Sequence, residues 1–89
     1  MAKIKDGFVL REVAGQAVVI AVGEASKNFH GMINLNETGK FIWQEIAQGL
    51  DVERIADDLT QEYKVDLEIA RRDTVRILGQ MEKAGVLTK

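Results

Sequence analysis

Met32-Ile33-Asn34-Leu35-Asn36-Glu37-Thr38-Gly39-Lys40-Phe41-Ile42-Trp43 is the stretch in which the chain changes period. Up to Asn34, Phe29, Gly31 and Ile33 alternate with His30, Met32 and Asn34, which predicts a strand over about residues 28–34. From Leu35 onward the spacing is helical, with Ile42, Trp43, Ile46 and Leu50 recurring at i, i+4 and i+8. An asparagine at the join can cap the helix, and both Asn34 and Asn36 qualify. Asn34 has Glu37 three residues on, in the spacing of a capping box.

Upstream of this junction the chain reads as strands. Phe8-Val9-Leu10-Arg11-Glu12-Val13 and Ala17-Val18-Val19-Ile20-Ala21-Val22 are β-branched or apolar runs separated by Ala14-Gly15-Gln16. Gly15 can take the positive φ that a tight turn needs, so the two runs are predicted to form a hairpin. The second run is apolar at odd and even positions alike, as a central strand covered on both faces would be.

Downstream, helix one is predicted to end before Gly49. Asp51 caps helix two, with Val52, Ile55, Ala56, Leu59 and Tyr63 as its stripe. Asp66 caps helix three, which runs to about Ala84 and stops at Gly85. The expected fold is therefore a single α+β domain over residues 1–89, three antiparallel strands followed by three helices. The same parts make a winged helix-turn-helix-like domain.

Composition removes several classes of function. The chain has no cysteine, so disulfides, thiolate catalysis and cysteine-based metal sites are excluded. His30 is its one histidine, so a single chain cannot supply a two-histidine metal site. Asp57, Asp58 and Glu62 are read as a solvated face, and no phosphate-cradling glycine motif is present. No catalytic residue, metal ligand or cofactor is expected, and the chain is read as a non-enzyme. No apolar run approaches the roughly 20 residues of a membrane span, and the start of the chain does not read as a secretory signal; a cytoplasmic location with no membrane partner is the expectation.

A net charge of −2 argues against nucleic acid as a partner. Helix two sets Arg54 and Lys64 against Asp51, Glu53, Asp57, Asp58 and Glu62, and helix three is neutral. Only Arg71, Arg72 and Arg76 keep a winged-helix DNA-binding reading open.

The third strand closes a meander and is expected at the sheet edge, where unpaired N–H and C=O groups can bond another chain. Phe29-His30-Gly31-Met32-Ile33 has no Lys, Glu or Pro to discourage such pairing, which suits addition of a peptide strand. The alternative is a short edge covered by its own helix.

On helix three, with Ile77 as the reference, Ala70, Thr74, Met81 and Ala84 fall within about 60° and form the core stripe. Arg71, Val75, Leu78 and Glu82 lie about 100–160° away. If that flank borders the third strand, the two make a groove with an apolar floor and a charged rim; otherwise Val75 and Leu78 only widen the core face. A sheet with helices on one side also leaves its other face open to a homodimer.

The quoted stretch resembles the PqqD family, whose members carry a Leu-Asn-x-Thr-Gly-x-x-x-Trp signature, here Leu35-Asn36-Glu37-Thr38-Gly39 through Trp43. The opening Gly7 to Gly15, the stretch Ile55 to Asp66 and the closing Leu78 to Leu87 resemble it too. Leu35, Asn36, Gly39 and Trp43 are read as scaffold. The resemblance implies a recognition element for ribosomally made, post-translationally modified peptides. Such an element would bind the leader of a precursor peptide along the third strand, beside the third helix, and deliver it to a modifying enzyme, a radical SAM protein in pyrroloquinoline quinone biosynthesis. Phe29, His30, Gly31, Met32 and Ile33 are the expected strand contacts, and Arg71, Val75, Leu78 and Glu82 the expected helix contacts, Arg71 reading acidic leader side chains.

Overall fold

A computed structural model describes residues 3–27 and 32–88. Phe8–Val13 (β2) and Gln16–Ala21 (β3) form the hairpin expected from their composition, in register from Phe8 opposite Ala21 to Val13 opposite Gln16. The turn between them has φ of 53° at Ala14 and 80° at Gly15, the two positive values of a type I′ turn, whose twist matches that of the strands. Met32–Leu35 (β4) pairs antiparallel with β3, so the sheet order is β2-β3-β4 with β3 central. Val18 and Val19, on opposite faces of β3, are 2% and 0% exposed, as the uniformly apolar run required.

The registers sort the sheet into two faces. Phe8, Leu10, Ala17, Val19, Ile33 and Leu35 turn inward onto the helices. Val9, Val13, Ile20 and Met32 turn outward with Arg11, and Val13 and Met32 are more than half exposed.

Asn36, rather than Asn34, caps the first helix. Its Oδ1 accepts from Gly39 N at 2.8 Å and from Thr38 Oγ1 at 3.1 Å, while Asn34 belongs to β4. The helix covers Glu37–Ala47 (α1). A Cβ on Gly39 would stand 3.1 Å from the capping oxygen and 3.3 Å from the Leu35 side chain, so the missing side chain lets strand end and helix start close on each other. Lys40 donates to Glu12 and ties α1 to the end of β2.

Asp51 caps Val52–Tyr63 (α2) through Arg54 N at 2.9 Å. Asp66 sits at the cap position of Leu67–Lys83 (α3) with extended backbone but makes no side-chain cap bond, contrary to expectation. Gly85, at φ of 79°, stops α3 as its position predicts.

Ile42, Trp43 and Ile46 of α1, Ile55, Ala56 and Leu59 of α2, and Ala70, Ile77 and Met81 of α3 fill the core against the sheet. Each fully buried large side chain among them contributes roughly 1.5–3 kcal/mol relative to exposure. Thr74, on the same stripe of α3, is buried with its hydroxyl donating to Ala70 O at 2.8 Å.

Two short strands go beyond the three expected. Lys3–Ile4 (β1) pairs with Leu87–Thr88 (β5), Lys3 opposite Thr88, in a separate two-stranded sheet. Thr88 Oγ1 adds a bond to Lys3 O at 3.2 Å, and Lys5 N donates to Val86 O at 2.8 Å. Lys3, Ile4 and Lys5 thus hold Leu87 and Thr88 in place beside buried Val86.

Candidate functional site

β4 bonds β3 on one side, and no other described strand pairs with its outer edge. Alternate backbone groups of Met32–Leu35 therefore face outward without a ladder partner among the described residues, the arrangement onto which an extended chain can add. Met32 is 58% exposed on the outer face and Ile33 packs against the core. Phe29, His30 and Gly31, the expected beginning of this edge, lie outside the described residues.

α3 lies beside the Leu35 end of that edge, with a flank other than the one expected. A depression of about 290 Å³ separates them, lined on the strand side by Gln16, Asn34, Leu35 and Asn36 and on the helix side by Arg76, Ile77 and Gln80. Arg76 and Gln80 are one turn apart on the side of Ile77 opposite to Arg71 and Leu78.

Arg71 instead faces α2, where its guanidinium grips Glu53 by Nε at 2.9 and 3.3 Å and by Nη2 at 3.0 Å. The hydrogen bond from Arg71 holds the Glu53 carboxyl below its ordinary 4.5. Leu78 packs against the core, Val75 is 55% exposed and Glu82 is exposed. The expected stripe of Ala70, Thr74, Ile77 and Met81 is buried, but Leu78, expected on the flank, packs against the core, while Arg71 faces α2 and Val75 and Glu82 face solvent. The groove wall carries Arg76 and Gln80.

The three arginines of α3 differ in how they are engaged. Arg71 is held in the fork just described. Arg72 stands 3.9 Å from Glu68 and Arg76 4.0 Å from Asp73, both too long for hydrogen bonds. Each positive charge has a carboxylate nearby, which leaves no net basic face on the helix.

Two larger depressions lie elsewhere. One of about 490 Å³ runs from Lys3–Phe8 to Trp43 and the end of α1, and one of about 440 Å³ lies between Lys5–Phe8, Glu24, Ala25 and the end of α3. Among the described lining residues neither holds a histidine; the first holds one carboxylate, Asp6, and the second holds Asp6 and Glu24. Among the described residues no group of three or more His, Asp or Glu could hold a metal ion. No described helix is long and apolar enough to cross a membrane.

One titratable group is perturbed away from this edge. Glu45 of α1 is 8% exposed, its Oε1 has no partner among the described residues, and its pKa is raised from 4.5 to about 7. Burial is the main cause, followed by a hydrogen bond with Asp58 of α2 and by the Asp58 charge. Asp58 moves the opposite way, held down by the same hydrogen bond and by Arg54, whose Nε lies 3.2 and 3.3 Å from its two oxygens. The pair is a proton-sharing seam between α1 and α2.

Comparison with known proteins bears on the edge. No curated protein matches the chain in sequence. Among solved structures it is similar to TbiB1 in complex with the TbiA(beta) leader peptide, at 25% identity and a TM-score of 0.76, over 96% of this chain and 93% of that one. Its fold is also that of lasso peptide synthetase B1 complexed with the leader peptide, at 19% identity and a TM-score of 0.80, over 99% of this chain and 98% of that one. The family model described as coenzyme PQQ synthesis protein D matches residues 9–87. On that span, which includes the Asn36 cap, Gly39 and Trp43, the chain belongs to the PqqD family.

Proposed function

We propose that this chain is a non-catalytic recognition module that binds the leader segment of a ribosomally synthesised precursor peptide and hands it to a modifying enzyme. The observation that carries the reading is the unpaired edge of β4 beside α3. The leader adds to that edge as a further strand. Backbone bonds supply affinity and the groove supplies selectivity. The similarity to TbiB1, whose structure holds a leader peptide, supports the same use of the fold.

Phe29, His30, Gly31, Met32 and Ile33 remain the strand contacts of this reading; on α3, Arg76 and Gln80 replace Arg71, Val75, Leu78 and Glu82. The module works in the cytoplasm without cofactor, and its partner enzyme is of the radical SAM type that the family resemblance implies. The carboxylates facing each arginine of α3 weigh against the DNA-binding alternative.

The test is an amide-shift titration of isotope-labelled protein with the leader of the precursor encoded nearest its gene. Perturbations should concentrate at Met32–Leu35 and on Arg76 and Gln80. Shifts confined to α2 would sink the proposal.

A second reading concerns assembly. The outer sheet face, with Val9, Val13, Ile20 and Met32, supports a homodimer through that face. Sedimentation at high protein concentration should then show a dimer, and a monomer throughout would dispose of it.

A further inference from the structure

The depression at the Leu35 end of β4 is more polar than a groove that selects only apolar anchors. Gln16, Asn34, Asn36, Arg76 and Gln80 surround a floor made by Leu35 and Ile77. Several of the donors in this ring are uncommitted among the described residues. Asn36 Oδ1 is used by the α1 cap, which leaves its amide NH2 available. Gln16 Nε2 has one bond, to Leu35 O at 3.3 Å. The Arg76 guanidinium lies 4.0 Å from Asp73, so the carboxylate one turn back leaves its fork unfilled. Arg71, whose fork is occupied by Glu53, shows what a committed arginine on the same helix looks like.

We infer that the Gln16-Asn36-Arg76-Gln80 cluster is a subsite for a carboxylate side chain, an Asp or Glu carried by the added strand at its end across from Leu35. The inference rests on strand addition at β4 and names the chemistry that the edge selects. A planar fork flanked by amide NH2 groups matches a carboxylate, which accepts two parallel bonds. A cationic side chain would meet the guanidinium and has no acceptor but amide oxygens and Asp73.

The experiment is selection of a random-peptide display library on the wild-type chain and on Arg76→Glu, with the selected peptides then titrated into isotope-labelled protein. Wild type should enrich peptides that perturb Met32–Leu35 and carry Asp or Glu at one fixed position. Arg76→Glu should replace that residue with Lys or Arg. Changing the acid of a wild-type peptide to its amide should lower affinity about tenfold, as loss of one charge-assisted pair does. Asp73→Asn should raise affinity for acidic peptides by removing the competing carboxylate.

Peptides that bind at β4 with no acidic preference, or with one that Arg76→Glu leaves unchanged, overturn the subsite and leave strand addition standing. If no enriched peptide perturbs β4, both fall together.

Discussion

The two flanks of α3 are built from similar side chains and do opposite things. Toward α2, Arg71 is locked onto Glu53 and Leu78 is pressed into the core, so that flank joins two helices into one body. Toward β4, Arg76 has no hydrogen-bond partner among the described residues and the amides around it line an open depression. One helix thus spends an arginine on cohesion and keeps another in reserve. Charge on a helix surface reveals little until one knows whether its partner lies within the chain.

The strongest way to break the comparison is to remove what both flanks stand on. Ile77, 5% exposed, supports the core stripe and the floor of the depression, and Ile77→Ala should cost about 2–5 kcal/mol in urea unfolding. A loss below about 1 kcal/mol would mean that the helix is not seated on this residue.

Ile33→Pro tests the open side directly. In the folded fraction of that variant, peptide affinity should fall at least about tenfold, because proline removes a donor and edge geometry. Unchanged affinity would count against strand addition.

The closed side has its own handle in the seam between α1 and α2. Glu45 titrates at about 7 in the folded chain against an ordinary 4.5, so folding tightens its hold on a proton. The stability this contributes is complete below about pH 4.5 and is lost as pH rises through 7. Glu45→Gln keeps the shape and a donor toward Asp58 without titrating. Its stability relative to wild type should grow from pH 4.5 to 7 and then level off, read by thermal unfolding across buffers. A difference that stays flat over that range would show that folding does not raise the Glu45 carboxyl.

The smallest effect belongs to Arg71→Ala. Its ion pair is exposed, so the variant should lose little stability, high salt should erase the loss, and peptide affinity should stay within about twofold of wild type. A large affinity loss would return Arg71 to the binding surface and undo the contrast between the flanks.

Much of the fold was legible because period and punctuation agreed. The alternation of Met32, Ile33 and Asn34, the helical spacing after Leu35, Gly15 at the turn and Gly85 at the stop each reported a local backbone requirement that the structure meets. Asn34 and Asn36 could not be separated beforehand, since either could sit at a strand-to-helix join; the extension of β4 to Leu35 decided it.

The groove wall was read less well for a physical reason. A helical wheel tells which residues leave the core stripe, but the neighbour on each side is a matter of how the chain returns in space. Val75 and Leu78 made one flank apolar and so attractive as a binding floor, while the wall that stands beside β4 is polar and announces itself only once Gln16, Asn36 and Arg76 meet across long sequence separations. β1 and β5, two residues each, are shorter than any periodicity can register.

Those two short strands also bear on the order of folding. Lys3 is paired with Thr88, so β1 cannot be latched until β5 has been made. The hairpin and helices close smaller loops and can form earlier, whereas this pairing closes the largest loop in the chain. A product cut short before Leu87 would hold most of the core yet leave β1 unlatched, and amide exchange at Lys3 and Ile4 would report whether β5 is in place.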